Sequence, residues 1–273
     1  MQLVAYGAQD IYLTGNPQIT FFKVVYRRHT NFSIETIAQA FSASVDFGRK
    51  TSVIIPRNGD LISKMYVLLK LPALKQAQST DATNSTWVNY TNGVGNAIIK
   101  SVSIDIGGQE IDKHYGEWMD IWNELYLSDE QKKNYNKMVF NRADEPWTNP
   151  EHLTSTSGKD LVLHVPLLFW FNRNPGLALP LIALQYHEVK VNLELEDAKY
   201  LVRSDKGNIT SPVDTSSNAL AVKNGELLVD YIYLDTDERR RFAQVSHEYL
   251  IEQVQYTGAE SLDSGTTNVN LDL

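Results

Sequence analysis

The sequence contains no cysteine, which excludes both a disulfide framework and chemistry that depends on a thiolate. This absence is typical of proteins that assemble in a reducing, intracellular compartment. No apolar run approaches the roughly 20 residues of a membrane-spanning helix, because the run 161–171 is short and contains His164 and Pro166. A chain of 273 residues can nevertheless bury a large core without a disulfide or a metal ion.

Positive charge is also scarce. The chain has 25 lysines and arginines against 33 aspartates and glutamates, which gives a net charge of −8 and an isoelectric point near 5.3. Broad nucleic-acid binding requires a concentrated basic surface, so the composition argues against that function. We therefore expect a soluble, acidic, globular protein with one large β domain or two smaller ones.

The sequence lacks a catalytic or cofactor-binding constellation. His187-Glu188 and His247-Glu248 begin like a zinc-protease helix, but Val191 and Ile251 occupy the positions of the second histidine. Asp235-Thr236-Asp237 is interpreted as a solvated turn at the end of a strand. A nucleophile elbow, a Walker loop and a dinucleotide fingerprint are all missing. The sequence therefore predicts a protein that is not an enzyme and holds no cofactor or metal ion.

What the sequence does contain is a succession of short strand patterns. The Gly107-Gly108 pair lies between two alternating segments and predicts a tight hairpin, because glycine adopts positive φ without a steric penalty. The bend-forming residues 57–60 separate two further strands. The runs 161–171 and 179–184 are interpreted as strands buried on both faces. The other predicted strands are 51–55, 65–69, 101–106, 109–112, 188–195 and 227–234. Short strands without βαβ alternation predict an all-β, antiparallel jelly-roll sandwich.

One segment breaks the strand pattern. Trp118, Ile121, Trp122 and Leu125 recur at helical spacing and form a one-sided apolar stripe. Ser128 follows, with Gln131 at the capping-box position of a second short helix. We therefore predict a helical insertion over residues 117–140.

The opening block, residues 7–32, has the composition of an extended arm. Gly15-Asn16-Pro17 prevents a continuous helix, and residues 18–26 are aromatic and β-branched. Basic residues among aromatic ones can bind single-stranded nucleic acid, but the acidic chain favours contacts between subunits instead. The candidate contact residues of the arm are Gln18, Phe21, Phe22, Lys23, Tyr26, Arg27 and Arg28.

The opening block resembles the amino terminus of the major capsid protein family of large icosahedral double-stranded DNA viruses. Further phrases similar to that family follow in the same order along the whole chain. They are residues 47–48, 57–62, 106–115, 166–172, 175–189, 230–236, 241–244 and 247–253. The resemblance is to the algal-virus and iridovirus type of this family, which has two jelly rolls in tandem.

The resemblance implies three segments. Residues 1–29 would form the arm, residues 30–243 a first jelly roll, and residues 244–273 a linker with the first strands of an incomplete second one. Residues 247–256 alternate like a strand within that last segment. Family members are much longer, so we expect this chain to be part of a longer protein or to depend on a partner.

The resemblance also implies a function. The chain would be a structural subunit of an icosahedral capsid, associating with itself into trimeric capsomers that tile the shell. Its partners would be other copies and minor capsid proteins, without a direct role in nucleic-acid binding. It would be located in the virion after assembly in the host cytoplasm, above an internal membrane that it does not span. The alternative is a carbohydrate-binding jelly roll in which Trp87, Tyr90 and Trp147 stack on sugars.

Overall fold

The computed structural model describes residues 31–75, 88–141, 159–204, 207–209 and 211–258. The strands in these ranges are β1 (Phe32–Ala40), β2 (Lys50–Ile54), β3 (Leu61–Leu71), β4 (Val88–Tyr90), β5 (Ile99–Ile106), β6 (Gln109–His114), β7 (Leu161–Pro166), β8 (Leu179–Pro180), β9 (Val189–Leu195), β10 (Val202–Ser204), β11 (Gly207–Asn208) and β12 (Asn224–Leu234). The helices are α1 (Val94–Ala97), α2 (Gly116–Tyr126), α3 (Asp129–Val139), α4 (Trp170–Arg173), α5 (Ala198–Leu201) and α6 (Thr236–Gln244), with a 3-10 turn at Pro175–Leu177.

Two antiparallel sheets form the body of the molecule. The first has the strand order β1-β12-β3-β7, with β8 paired to one end of β3, and the second has the order β2-β9-β5-β6. Neighbouring strands are remote in the sequence, since Phe32 of β1 pairs with Leu234 of β12. The chain passes repeatedly from one sheet to the other, which is the wrapping of a jelly roll. The predicted fold class is therefore confirmed.

The core lies between the inner faces of these two sheets. Strand β9 alternates strictly between buried and half-buried residues, because one of its faces packs on the core. Tyr231 of β12 is fully buried among the apolar side chains, and its hydroxyl donates a hydrogen bond to the carbonyl oxygen of Pro56 at 3.0 Å. The one polar atom of this side chain is thus hydrogen-bonded within the core.

The predicted hairpin is confirmed. Gly107 and Gly108 have φ of 62° and 83° and connect β5 to β6. A Cβ atom on Gly107 would lie 2.6 Å from Nδ1 of His187, so this turn is also closely packed. The bend at residues 57–60 carries the chain from β2 in the second sheet to β3 in the first.

The helical insertion predicted over residues 117–140 is also confirmed. It consists of α2 and α3, and Ser128 and Gln131 form the reciprocal capping box of α3. Among the described helices, none is long and apolar enough to cross a membrane.

Two predicted strands are wrong in extent. Strand β7 ends at Pro166, and residues 167–171 turn inward, so that Phe169 and Phe171 fill the core from the start of α4. Strand β8 ends at Pro180, and a turn follows it. Proline cannot donate to a strand ladder, and an apolar run alone does not distinguish a buried strand from a buried turn.

Helix α6 was not predicted. Its first residues read as a solvated turn, but the side chain of Asp235 accepts a hydrogen bond from the backbone N–H of Thr236 at 2.7 Å. Asp235 is the N-cap of this helix, which explains the acidic residue at the end of β12.

Gly116 provides a test of the helix–sheet junction. A Cβ atom at this position would overlap the carbonyl oxygen of Asn96 and lie 2.8 Å from that of Ile99. Both obstacles are backbone atoms, so Gly116→Ala is expected to lower the free energy of unfolding by about 1–3 kcal/mol despite the better helix propensity of alanine.

Gly176→Ala is the matched control, because its nearest neighbour is the flexible side chain of Asn174 at 3.3 Å. This variant is expected to stay within about 0.5 kcal/mol of the parent in urea unfolding. Equal stability of the two variants would contradict the close backbone contact at Gly116.

Candidate interaction surfaces

The structure does not place every residue singled out from the sequence. The arm residues Gln18 to Arg28 lie outside the described residues, as do Trp87 and Trp147. Tyr90 is described and is buried, with its hydroxyl donating to the carbonyl oxygen of Pro72 at 2.8 Å. Because its ring faces the core, the prediction that Tyr90 stacks on a sugar is wrong.

The histidines and carboxylates of the described ranges form no group of three or more that could hold a metal ion. His187 packs against the turn at Gly107, whereas the ring of His247 stacks on Phe242 with a centroid distance of 5.0 Å. Each of these two histidines is thus packed against another part of the fold.

An arginine of α6 is paired with a residue far away in the sequence. Arg239 reaches Asp60, with Nε 3.0 Å from Oδ1 and Nη2 3.1 Å from Oδ2. Asp60 is buried and also accepts a hydrogen bond from the backbone N–H of Leu234 at 2.8 Å. This fork-like pair fixes α6 against the end of the first sheet.

Residues 246–258, here called the carboxyl segment, follow α6 across the surface. The structure shows no strand in this segment, so the prediction of a strand over residues 247–256 is wrong. The segment is held through side chains. Arg173 pairs with Glu252 at 2.6 Å, and the hydroxyl of Tyr249 donates to the carbonyl oxygen of Ala178 at 3.3 Å.

The far end of the carboxyl segment lies beside β6. The backbone N–H of Val254 donates to Oδ1 of Asp112 at 3.0 Å, and Gln253 donates to the carbonyl oxygen of Ile111. The rings of Tyr256 and Tyr115 meet at a centroid distance of 4.3 Å. These contacts cover an edge strand, which would otherwise invite pairing with another chain.

Asp112 also takes part in a buried pair. Its Oδ2 lies 2.8 Å from Nε2 of His114, and neither side chain is exposed. The His114 ring stacks on Phe169 at 4.8 Å. Buried and packed on this ring, the pair has the surroundings of a core group.

Aromatic side chains line one side of α2. Trp122 and Tyr126 stack with ring centroids 3.7 Å apart, and the guanidinium of Arg173 lies 4.0 Å from the centre of the Trp122 ring. Beside them is a groove of about 460 Å³, lined also by Trp170 and by Leu250 of the carboxyl segment. Arginine and stacked aromatic residues are the side chains that contribute most to protein interfaces.

A larger cavity of about 710 Å³ lies where α2 meets the outer side of the second sheet. Lys100 pairs with Glu194 there at 2.7 Å, and this hydrogen bond lowers the pKa of Glu194. Burial raises the pKa of Asp120, although a hydrogen bond from Asn96 opposes the change. Lys100 and Glu194 are thus paired, and Asp120 is hydrogen-bonded. This arrangement of the three groups provides no activated nucleophile.

The two sheets differ in the character of their outer faces. On the second sheet most outward residues are polar, and Asn192 donates to Ser103 at 3.2 Å and to Asp105 at 2.8 Å. One paired row across the first sheet consists of Ala38, Leu228, Tyr66 and Pro166. Other outward positions of the first sheet are polar, since Thr36 pairs with Asp230. The outer face of the first sheet is therefore mixed, with one apolar row between polar positions.

Exposed apolar side chains extend this outer face along β1. Phe32 and Ile34 are 64% and 56% exposed, and they pair with Leu234 and Ile232 of β12. The start of β1 is thus a candidate interaction surface.

Comparisons with known proteins agree with one another. A family model described as the major capsid protein N-terminus matches residues 20–235. The major capsid protein of Phaeocystis pouchetii virus is 48% identical over 100% of this chain and 55% of its own length. That of Pyramimonas orientalis virus is 52% identical over 97% of this chain and 60% of its own length. The chain thus spans little more than half the length of these relatives.

A solved structure of the PBCV-1 virus capsid shows the same architecture. It matches 91% of this chain and 53% of the other chain with a TM-score of 0.70, and the two sequences are 39% identical. The jelly roll of this chain is therefore similar in architecture to the one in that capsid.

Proposed function

The chain belongs to the major capsid protein family of large DNA viruses, and from that premise we propose that it is a structural subunit of a viral capsid. The observation that carries the proposal is the identity of 48% and 52% to two major capsid proteins over almost the whole chain. The jelly roll supports it, because double-sheet jelly rolls are a recurring architecture of viral capsid domains. In this proposal the protein is not an enzyme, and its place is the capsid shell of the virion.

The proposed partners are other copies of the chain and minor capsid proteins. We place the arm residues Gln18, Phe21, Phe22, Lys23, Tyr26, Arg27 and Arg28 at contacts between subunits. Their aromatic and basic character supports this role, because arginine and aromatic residues are enriched in interfaces. A trimeric capsomer assembled in the host cytoplasm is the arrangement that the family resemblance implies.

Self-association of the purified chain tests this function. In mass photometry and sedimentation velocity, we expect species heavier than the 30.9 kDa monomer to grow with concentration. A dissociation constant of about 10 µM or lower would correspond to roughly −7 kcal/mol of association free energy. A chain that remains monomeric at about 100 µM would contradict the proposal for this chain.

The arm is tested in the same assay. Replacing Arg27 and Arg28 together by alanine is expected to weaken association by about tenfold, because two interface arginines are lost. Association that is unchanged, combined with lost affinity for DNA, would instead assign these arginines to nucleic-acid binding.

A further inference from the structure

We propose that Asn58 is a site of spontaneous deamidation, and that its conversion to isoaspartate loosens the attachment of α6. The sequence contains three Asn-Gly pairs, which are Asn58-Gly59, Asn92-Gly93 and Asn224-Gly225, and all of them lie in the described ranges. The three pairs share the same local chemistry, so any difference in their reactivity comes from the fold. This inference is independent of the proposed capsid function.

The reaction requires water as its only co-reactant. The backbone nitrogen of the glycine loses its proton to water and attacks Cγ of the asparagine side chain. A new C–N bond closes a succinimide ring, while the bond from Cγ to the side-chain nitrogen breaks and that nitrogen leaves as ammonia. Water then opens the ring at either carbonyl, which gives aspartate or isoaspartate. Glycine favours ring closure because it has no side chain to shield its backbone nitrogen.

The surroundings of Asn58 leave both reacting groups available. Asn58 is exposed in the bend that connects β2 to β3. Among the described residues, neither its side-chain amide nor the backbone N–H of Gly59 has a hydrogen-bond partner. A bend outside the sheets changes its backbone angles without breaking a strand ladder. The nitrogen of Gly59 can therefore approach Cγ of Asn58 through a local motion.

The second pair is held by hydrogen bonds at both reacting groups. The side-chain nitrogen of Asn92 donates to Oδ1 of Asn141 at 2.8 Å. The backbone N–H of Gly93 donates to the carbonyl oxygen of Phe140 at 3.0 Å. Ring closure at Asn92 would first have to break both of these bonds, so we expect it to be slow.

The third pair is held by the first sheet. Asn224 and Gly225 begin β12, where Gly225 pairs with Leu69 of β3. A Cβ atom on Gly225 would lie 2.6 Å from Cβ of Val45, so this part of the strand is closely packed. The side chain of Asn224 also donates to Oε1 of Glu226 at 3.2 Å. Ring closure here requires the end of β12 to leave the sheet.

The bend at Asn58 lies between two anchored residues. Before it, Nη2 of Arg57 donates to the carbonyl oxygen of Leu184 at 2.6 Å. After it, the carboxylate of Asp60 makes two contacts with the guanidinium of Arg239 in α6, at 3.0 and 3.1 Å. Isoaspartate lengthens the main chain by one carbon atom between these anchors. A fork-like pair depends on its geometry, so we expect this change to weaken the pair and loosen α6.

Peptide mapping of the aged protein tests the site. The purified chain is kept in a mildly alkaline buffer, and mass spectrometry follows the three Asn-Gly peptides with time. We expect deamidation to be at least about tenfold faster at Asn58 than at Asn92 or Asn224, because the other two pairs react only after local opening. In urea the three rates should agree within about threefold. Equal rates in the folded protein, or a faster rate at another pair, would overturn the inference.

Two substitutions of Asn58 separate the effects of charge, ageing and chain length. Asn58→Asp adds the negative charge but keeps the main chain at its normal length. Asn58→Gln slows ring closure, because its longer side chain would have to form a larger ring. A substitution of Gly59 is unsuitable, since a Cβ atom there would lie 2.8 Å from Cβ of Tyr231.

Hydrogen exchange of the α6 amides measures the loosening. Aged parent chains that have gained a negative charge are separated by anion exchange, and their α6 amides are expected to exchange about tenfold faster than those of the fresh parent. Asn58→Asp and aged Asn58→Gln should both match the fresh parent within about twofold. If the aged fraction exchanges no faster than Asn58→Asp, the link between isoaspartate and α6 is refuted.

Discussion

Replacing Phe169 by alanine is expected to lower the free energy of unfolding by about 3–5 kcal/mol. The ring is fully buried, stacks on His114 at 4.8 Å and lies 6.1 Å from the ring of Phe171. Truncation removes this packing and leaves a cavity next to the buried pair of His114 and Asp112, which the surrounding backbone cannot fill. Urea unfolding followed by tryptophan fluorescence measures the loss.

Two companion variants control this result. Phe169→Leu keeps most of the volume and is expected to lose about 1–2 kcal/mol. Tyr186→Ala removes an aromatic ring that is 93% exposed and should remain within about 0.5 kcal/mol of the parent. A loss of less than about 1 kcal/mol for Phe169→Ala would show that this ring does not support the core as described.

Alkaline pH is expected to destabilise the fold steeply. Burial raises the pKa of Tyr90 and the pKa of Tyr135. It also raises the pKa of Tyr231, to about 12. In the unfolded chain these phenols ionise near the ordinary value of about 10, whereas the folded protein retains their protons. Their contribution to stability is therefore complete below pH 10 and is lost as the pH rises towards the folded pKa values.

Each retained proton changes stability by about 1.4 kcal/mol per pH unit, so the three tyrosines together give a slope of roughly 4 kcal/mol per pH unit above pH 10. Chemical denaturation at a series of pH values measures this slope. Tyr135→Phe should reduce it by about a third. At neutral pH the same variant should lose about 1 kcal/mol, because Asn96 loses the hydrogen bond from the Tyr135 hydroxyl at 2.9 Å. A flat profile up to pH 12 would contradict the burial of these phenols.

The sequence predicted the elements whose signals are local. The hairpin at Gly107-Gly108 and the capping box at Ser128 each depend on a few adjacent residues, and both are confirmed. The fold class was accessible too, because short strands without intervening helices leave few arrangements. The end of β7 was not accessible, since an apolar run such as 161–171 has the same composition in a strand and in a buried turn.

Features that depend on distant residues could not be read from the sequence. The pairing of Arg239 with Asp60 joins residues at opposite ends of the domain, which no local pattern indicates. The carboxyl segment alternates like a strand but contacts α4 and β6 without forming a strand. The apolar row becomes visible only when the register places Ala38, Leu228 and Tyr66 side by side.

The pairing of β1 with β12 has a consequence for folding kinetics. The first sheet is complete only when Phe32 meets Leu234, on the order of 200 positions further along the chain. Closing so long a loop costs entropy before the strand pairing stabilises it, so this domain is expected to fold slowly for its size.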